Sequence, residues 1–441
     1  MTTFQRKRVV IVGAGFGGLS AAIALSRSPV EVLLLDRNNY HTFSPLLHQV
    51  ATGELEPELI AYPIRKVLRK YPHVQFATAG VKRIDVASKF VETSNSLITY
   101  DYLILACGSS SHFCGVPGAI EYSYPLKTLK EAVTLRNHIL RCLEQATEEA
   151  DPSRKRQLLT FTIVGGGATG VEFAGSLAEL IFDSLVKDYP GLDLNQARVI
   201  LFQSGDTLLP EMPKHLSIYA QKQLEKKGVE VILQTRVNQV TSDAVYLENQ
   251  RLIRTSTVVW TAGVRGNYLA EGWGLPTSKN GQVEVLPTLQ LPDYPQVYVV
   301  GDLAAVQQDG QKLPMLAQVA MQQGKTAANN ITRDIKGRTA LQLRYQHAGT
   351  LAIIGRNTAV GDLGRLTITG FFAWILWLYI HVVNLVGVRN RLIVLINWFY
   401  SYFFKKRVVG LIFPREEVSP FYRGRLTSEF YRREEGETWK N

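Results

Sequence analysis

A buried-type apolar run, three glycines in G-x-G-x-x-G spacing and an Ala/Leu-rich stretch follow one another in "RVVIVGAGFGGLSAAIALSR" (8–27). This order leaves few folds open. The short apolar run reads as a strand and the small-residue stretch as a helix, and the glycines between them have separate duties. Gly13 makes the tight turn, Gly15 lets backbone approach a pyrophosphate, and Gly18 lets helix pack close to strand. The helix N-terminus then faces the phosphates. A second strand, "VEVLLLD", ends at Asp36, whose carboxylate can accept from ribose hydroxyls.

The arrangement recurs in "LTFTIVGGGATGVEFAGSLAEL" (159–180), with Gly165, Gly167 and Gly170 in the same spacing. Two such sites imply two dinucleotides. The stretch "IFDSLVKDYPGLDLNQ" reads as an extension of the helix, after which "ARVILFQ" ends at Gln203, where a carboxylate normally holds the 2'-hydroxyl of NADH. A neutral amide can still bond a hydroxyl and does not repel a 2'-phosphate. No Arg follows within "SGDTLLP" to bind that phosphate, so mixed use of NADH and NADPH is expected. Further on, "TLQLPDYPQVYVVGDLAAV" brings Gly301 and Asp302 to the end of another strand. An acid there can hold the ribityl chain of a flavin, its plainer use being a helix N-cap. With the first loop it points to FAD in the first site, and leaves the second to NADH or NADPH.

The chain's 441 residues, 46% hydrophobic and 20% charged, suffice for two or three domains. Its three cysteines, Cys107, Cys114 and Cys142, form no C-x-x-C pair, so neither a disulfide framework nor a metal site is expected. The formal charge of +11 suits an anionic partner. The basic residues are scattered except for clusters such as Arg154–Arg156 and Lys405–Arg407, which favours an acidic lipid surface over nucleic acid.

Longer stretches carry a more specific signal. "DRNNYHTFSPLLHQVATGEL", "YDYLILACGS", "GGGATGVEFAGSLAEL", "VVWTAGV", "VYVVGDLAAV", "LAQVAMQQG", "YQHAGTLAIIGRNTAV" and "AWILWLYIHVVNLVGVRNRLIVLINW" together resemble the type II NAD(P)H:quinone dehydrogenases. These are two-dinucleotide-binding-domain flavoproteins, and the likeness covers nearly everything before about residue 413. It implies an α/β fold of two Rossmann-like domains in a glutathione-reductase-like architecture, followed by a C-terminal amphipathic, membrane-anchoring helical segment. It implies an FAD site built by Gly13, Gly15, Gly18, Asp36 and Asp302, with Thr52 and Gln318 near the isoalloxazine. Glu172 is implied close to the nicotinamide. Read by itself, Glu172 sits in the first turn of an apolar helix, where a carboxylate gains from the dipole. Gln318 and Gln322 fall at i, i+4 on one helix face, so that their amides can point at one quinone carbonyl. It is the resemblance that makes Glu172, Gln318 and Gln322 the expected catalytic residues. Met321 stands where some relatives carry His.

The resemblance implies a non-proton-pumping NAD(P)H:quinone oxidoreductase acting on a membrane quinone. The alternative is an NADPH-preferring naphthoquinone reductase of quinone biosynthesis, resembling demethylphylloquinone reductases. Sister chemistries lack their cysteines: no C-x4-C pair follows the first glycine turn, and nothing after Cys142 is Cys, as a sulfide:quinone oxidoreductase needs.

The expected organisation is a split FAD-binding domain (1–125 and 285–345) around an inserted NAD(P)H-binding domain (126–284). A membrane-associated and dimerising region (346–413) and a charged mobile tail (414–441) follow. "TGFFAWILWLYIHVVNLVGVRNR" is long enough to cross a bilayer as a helix. Crossing would put Arg389 and Arg391 on the face opposite the nucleotide sites, against the positive-inside tendency. Two helices lying in the interface are expected instead. Asn390, Asn397, Ser401 and Lys405 would form the polar stripe of the second, and Trp374, Trp377, His381 and Asn384 the headgroup edge of the first. The protein is then a peripheral homodimer on the cytoplasmic or equivalent n-side face.

Overall fold

The computed structural model describes residues 6–404, 407 and 410–412. Lys405 and the 414–441 segment lie outside the described residues. Buried apolar runs alternating with small-residue helices build two parallel sheets. The first is ordered Gln290–Leu291, Tyr294–Val299, Tyr102–Leu105, Lys7–Val12, Val30–Asp36, Val74–Thr78, with only the outermost Gln290–Leu291 antiparallel to its neighbour. The second, Tyr124–Pro125, Thr257–Trp260, Thr160–Val164, Arg198–Phe202, Val229–Ile232, is parallel throughout. Central strands are buried along nearly their whole length, as sheets covered on both faces require. In each sheet the glycine-loop strand lies between its successor on one side and a later strand on the other, so a crevice opens at its carboxyl end.

Pairing of Ser109–Ser111 with Val264–Gly266 ties the two crossings between the sheets together. Tyr124–Pro125 already belongs to the second sheet, and Thr128 and Glu131 cap the following helix, Leu129–Glu148, reciprocally. The helix of the second loop, Ala168–Glu179, ends in a single π-helical turn, Leu180–Ser184, and does not extend to Gln196 as its sequence suggested. Ser184 Oγ back-bonds to the Glu179 carbonyl in that wide turn, at 3.2 Å, and the chain leaves the helix axis.

Beyond residue 349 a three-stranded antiparallel sheet, Thr350–Gly355, Thr358–Asp362, Thr367–Thr369, leads into helices Gly370–Asn384 and Val388–Phe404. No helix among the described residues is long and apolar enough to cross a membrane. The second helix presents its faces the other way round from the sequence expectation, and the first does so in part, with Trp377 turned inward while Asn384 stays exposed. Asn390 and Ser401 are buried against the body, where Asn390 Nδ2 donates to the Glu58 and Leu59 carbonyls, both at 2.9 Å. Trp377 is fully buried, and His381 Nδ1 meets the Trp377 carbonyl of its own helix at 2.7 Å. Phe372, Tyr379, Ile396, Phe399 and Phe403 are instead exposed, each by more than 60%. Polar side chains find partners among free carbonyls of the body, whereas the outer apolar side chains find no protein surface.

Candidate functional site

The two glycine loops superimpose in logic. Gly13 and Gly165 hold φ at +102° and +110°, a region that favours glycine. A Cβ on Gly18 would lie 1.8 Å from the Gly13 carbonyl oxygen, and one on Gly170 1.9 Å from that of Gly165, so helix and turn touch backbone to backbone. A Cβ on Gly15 or Gly167 would meet nothing within 4 Å. Each loop is therefore closed towards its sheet and open on the outer side, a cradle that a pyrophosphate fits. FAD in the first and a nicotinamide dinucleotide in the second both pass this test.

Strand-end residues complete each loop. Asp36 accepts from the Ala14 N–H at 2.7 Å and the Asn38 N–H at 2.8 Å. Gln203 Oε1 accepts from the Gly166 N–H at 3.0 Å, while its Nε2 donates to the Thr207 carbonyl at 3.2 Å. The neutral amide thus pins its turn as the carboxylate pins the other. Asp302 accepts from Ser109 Oγ and from Lys127 Nζ, the latter at 3.2 Å, and the Gly301 N–H donates to Gln323 Oε1. Lys127 and Gln323 were not read from the sequence.

The helix before Thr52 meets the second loop helix at Thr52, whose Oγ1 bonds Ser176 Oγ at 2.7 Å and donates to the His48 carbonyl at 2.9 Å. One turn before Ser176, on the same face of the second loop helix, stands Glu172. It is the fifth residue of that helix rather than a first-turn residue, and its side chain is only 11% exposed. The Ile353 N–H and Trp377 Nε1 each donate to its Oε1 at 3.3 Å, and His48 Nδ1 lies 3.6 Å from its Oε2. Burial raises Glu172 to about 8 against the lowering effect of those two donors. Burial likewise pushes His48 down to about 3, helped by His381 and Arg407. Carboxyl and imidazole both favour their neutral forms, which avoids an ion pair in a dry site.

One helical turn beyond Ser176, Glu179 behaves oppositely. Burial alone would raise it, yet Lys227 Nζ at 2.7 Å, Arg407 at 3.7 Å and the Arg356 N–H at 2.6 Å hold it below the usual carboxylate range. Arg407 also pairs with Glu54 and donates to the Ser176 carbonyl. Between these carboxyls lies a cavity of about 40 Å³, walled opposite by Trp374, Leu378, Trp398 and Tyr402 of the C-terminal helices. At roughly 10–15 Å³ per water it has room for a few waters. Trp398 Nε1 donates to Gln49 Oε1 at 2.9 Å, so each C-terminal helix sends one indole N–H inward.

Gln318 and Gln322 lie on one face of helix Ala317–Ile335, as their spacing predicts, but their amides do not converge on a common point. Gln318 bonds the Gly349 carbonyl and the Ala348 N–H, and Gln322 bonds the Gln346 carbonyl and N–H. A neighbouring backbone segment takes up both ends of each amide.

Comparison with known proteins agrees with this geometry. The pyridine nucleotide-disulphide oxidoreductase family model matches residues 7–324, and the NDH2 C-terminal domain model matches 347–407. The chain is 37% identical over 418 residues to the type II NADH:quinone oxidoreductase Ndh of Mycobacterium tuberculosis, covering 91% of this chain and 89% of that protein. It is 31% identical over 375 residues to the type II NADH:quinone oxidoreductase of Staphylococcus haemolyticus, covering 83% and 92%. In fold it is similar to NDH2 from Plasmodium falciparum in complex with NADH, with a TM-score of 0.83 at 20% identity over 91% of this chain and 99% of that one. It is less similar to the sulfide:quinone oxidoreductase of Aquifex aeolicus, with a TM-score of 0.70 at 20% identity over 87% and 92%. Two open glycine cradles, a buried carboxyl between them and the C-terminal helices, and these matches place the chain in the type II NADH:quinone oxidoreductase family.

Proposed function

We propose that this enzyme is a flavin-dependent NAD(P)H:quinone oxidoreductase that does not pump protons, with FAD on the first loop and NADH or NADPH on the second. The observation that carries the reading is the position of Glu172, nearly enclosed where the second loop helix meets the Thr52 segment and the C-terminal helices. FAD, when bound, takes a hydride from the nicotinamide and delivers two electrons to the quinone. The balance is one NAD(P)H, one proton and one quinone giving NAD(P)+ and one quinol.

The chain's residues bind, orient and exclude water. Gly13, Gly15, Gly18 and Asp36 hold the nucleotide end of the flavin, Gly301 and Asp302 its ribityl side, and Thr52 borders the ring. Gly165, Gly167, Gly170 and Gln203 hold the nicotinamide nucleotide. Glu172 keeps a proton on its carboxyl near neutral pH, so a neutral quinone approaches an uncharged wall. The exposed apolar faces of the C-terminal helices rest on an anionic lipid surface on the n-side, from which quinone arrives, and the same helices support a homodimer.

The relatives are named for NADH, which does not favour an NADPH-preferring naphthoquinone reductase. Gln203 supports NADPH as a second donor beside NADH. The test is nicotinamide oxidation by the FAD-loaded protein with a short-chain quinone. Absence of quinone-dependent oxidation of both nucleotides overturns the reading.

A further inference from the structure

The amides of Gln318 and Gln322 make four hydrogen bonds to one short segment, all of ordinary length. Gln322 Nε2 donates to the Gln346 carbonyl at 2.9 Å, and its Oε1 accepts from the Gln346 N–H at 3.0 Å. Gln318 Nε2 donates to the Gly349 carbonyl at 3.1 Å, and its Oε1 accepts from the Ala348 N–H at 3.2 Å. Four residues of helix rise about 6 Å, close to the roughly 6.6 Å that two residues of extended chain cover. The spacing of the two glutamines therefore suits reading backbone, in the way that one strand reads another.

The gripped segment runs directly into strand Thr350–Gly355, which lies along the second loop helix and gives the grip a purpose. The Ile353 N–H donates to Glu172, and the Arg356 N–H donates to Glu179. Between them the Ile354 carbonyl oxygen occupies space that Gly175 leaves free, 1.9 Å from where a Cβ would stand. A slip of one residue would turn the Ile353 N–H away from Glu172.

We propose that Gln318 and Gln322 are positioning residues, a clasp on residues 346–349 that sets the register of strand Thr350–Gly355 and so holds the Ile353 N–H on Glu172. Its consequence for turnover rests on the quinone-reductase reading; the clasp itself does not. The groups that face Glu172 or act on its neighbour His48 are His48, Glu54, His381, Arg407, Glu179 and Arg356, none of which belongs to the clasp. His347, within the gripped segment, turns its ring to Tyr345 and Thr350.

The test uses the full-length, FAD-loaded protein carrying Gln322→Glu, which is nearly isosteric. An ionised carboxylate still accepts from the Gln346 N–H but faces the Gln346 carbonyl with no donor, whereas a protonated carboxyl restores both bonds. At neutral pH, hydrogen exchange of the amides from Gln346 to Ile353 should quicken about three- to tenfold, the scale of one lost hydrogen bond at an exposed site. Protection should return as pH falls towards about 4.3, the ordinary Glu range. The carboxylic C=O infrared band of Glu172, identified by its loss in Glu172→Gln, should titrate at higher pH, because the Ile353 N–H favours the ionised form. Quinone-dependent kcat should fall several-fold. Loss of turnover with exchange and band unchanged overturns the clasp, as does faster exchange with an unmoved band. A wild-type protein inert to quinones sinks the functional reading instead, while exchange and band still decide the clasp.

Discussion

Replacing Gln203 by Glu restores a charge at the strand end of the second loop, and its effect can be worked from the structure. The carboxylate keeps the bond from the Gly166 N–H, now charge-assisted, but loses the donor that satisfied the Thr207 carbonyl. Its second oxygen is repelled by that carbonyl and turns outward, to where a ribose 2'-substituent would lie. A unit charge at about 5 Å from a 2'-phosphate costs about 0.8 kcal/mol per phosphate charge at bulk-water dielectric and about 3.3 kcal/mol at an effective constant of 20. The site is half-buried, so about 1–3 kcal/mol is expected, or roughly a 5- to 150-fold fall in kcat/KM for NADPH. For NADH, whose hydroxyl gains an acceptor, the change should stay within about threefold. The assay is kcat/KM for both nucleotides with one short-chain quinone, at two ionic strengths. Screening should shrink the NADPH penalty at high salt. An NADPH/NADH ratio that stays constant between wild type and variant would refute the reasoning, as would an equal loss for both nucleotides.

Four more perturbations probe the same geometry. Gly15→Ala places its Cβ in open space, so the flavin-free protein should unfold at an unchanged Tm while the purified protein retains less flavin, read from the flavin-to-protein absorbance ratio, whereas Gly18→Ala, driven into the Gly13 carbonyl, should not fold; normal flavin content in Gly15→Ala would contradict the cradle. Glu172 sits at about 8 when folded, so the stability it supports is whole below the ordinary carboxylate range and is lost as pH rises towards 8. Thermal unfolding across that window should therefore show a smaller pH-dependent fall for Glu172→Gln than for wild type, and parallel curves would count against the assignment. Trp377→Phe removes one donor from the carboxyl and should cost about 1–3 kcal/mol in chemical denaturation while shifting the titration upward. Charging the outer positions Phe372, Phe399 and Phe403 to Glu together should leave Tm unchanged within a few degrees and abolish co-sedimentation with anionic vesicles, and undiminished binding would exclude these faces as the lipid contact.

What could be read in advance was local. The glycine turns, Asp36, Gln203 and Asp302 lie within one strand–turn–helix unit each, and short-range sterics alone assign their duties. Glu172 stands out in the sequence with its physics inverted: counted into the first turn it is a dipole-favoured anion, whereas in the fold it is a nearly enclosed acid. The polar stripe of Asn390, Asn397 and Ser401 gave a correct period and the wrong side, since periodicity locates a face without saying whether protein or solvent receives it. His48, Ser176 and Trp398 carry no local signal. His48 looks like any residue of a short helix, and Trp377 like any interfacial aromatic, until distant backbone brings them to one carboxyl.

Those distances also impose an order of events on the chain. The second loop's sheet closes at Trp260, but the first takes in Tyr294–Val299 and its loop helix packs on Ala317–Ile335, so a nascent chain can complete both cradles only once about the first 335 residues have been made. The partners of Glu172 are 181 and 205 residues further along, at Ile353 and Trp377. Until the C-terminal sheet and helices dock, its carboxyl lacks both donors and one wall. The second cradle is thus assembled early and the surroundings of Glu172 last, so on the proposed reading a half-finished chain lacks the wall along which quinone would arrive.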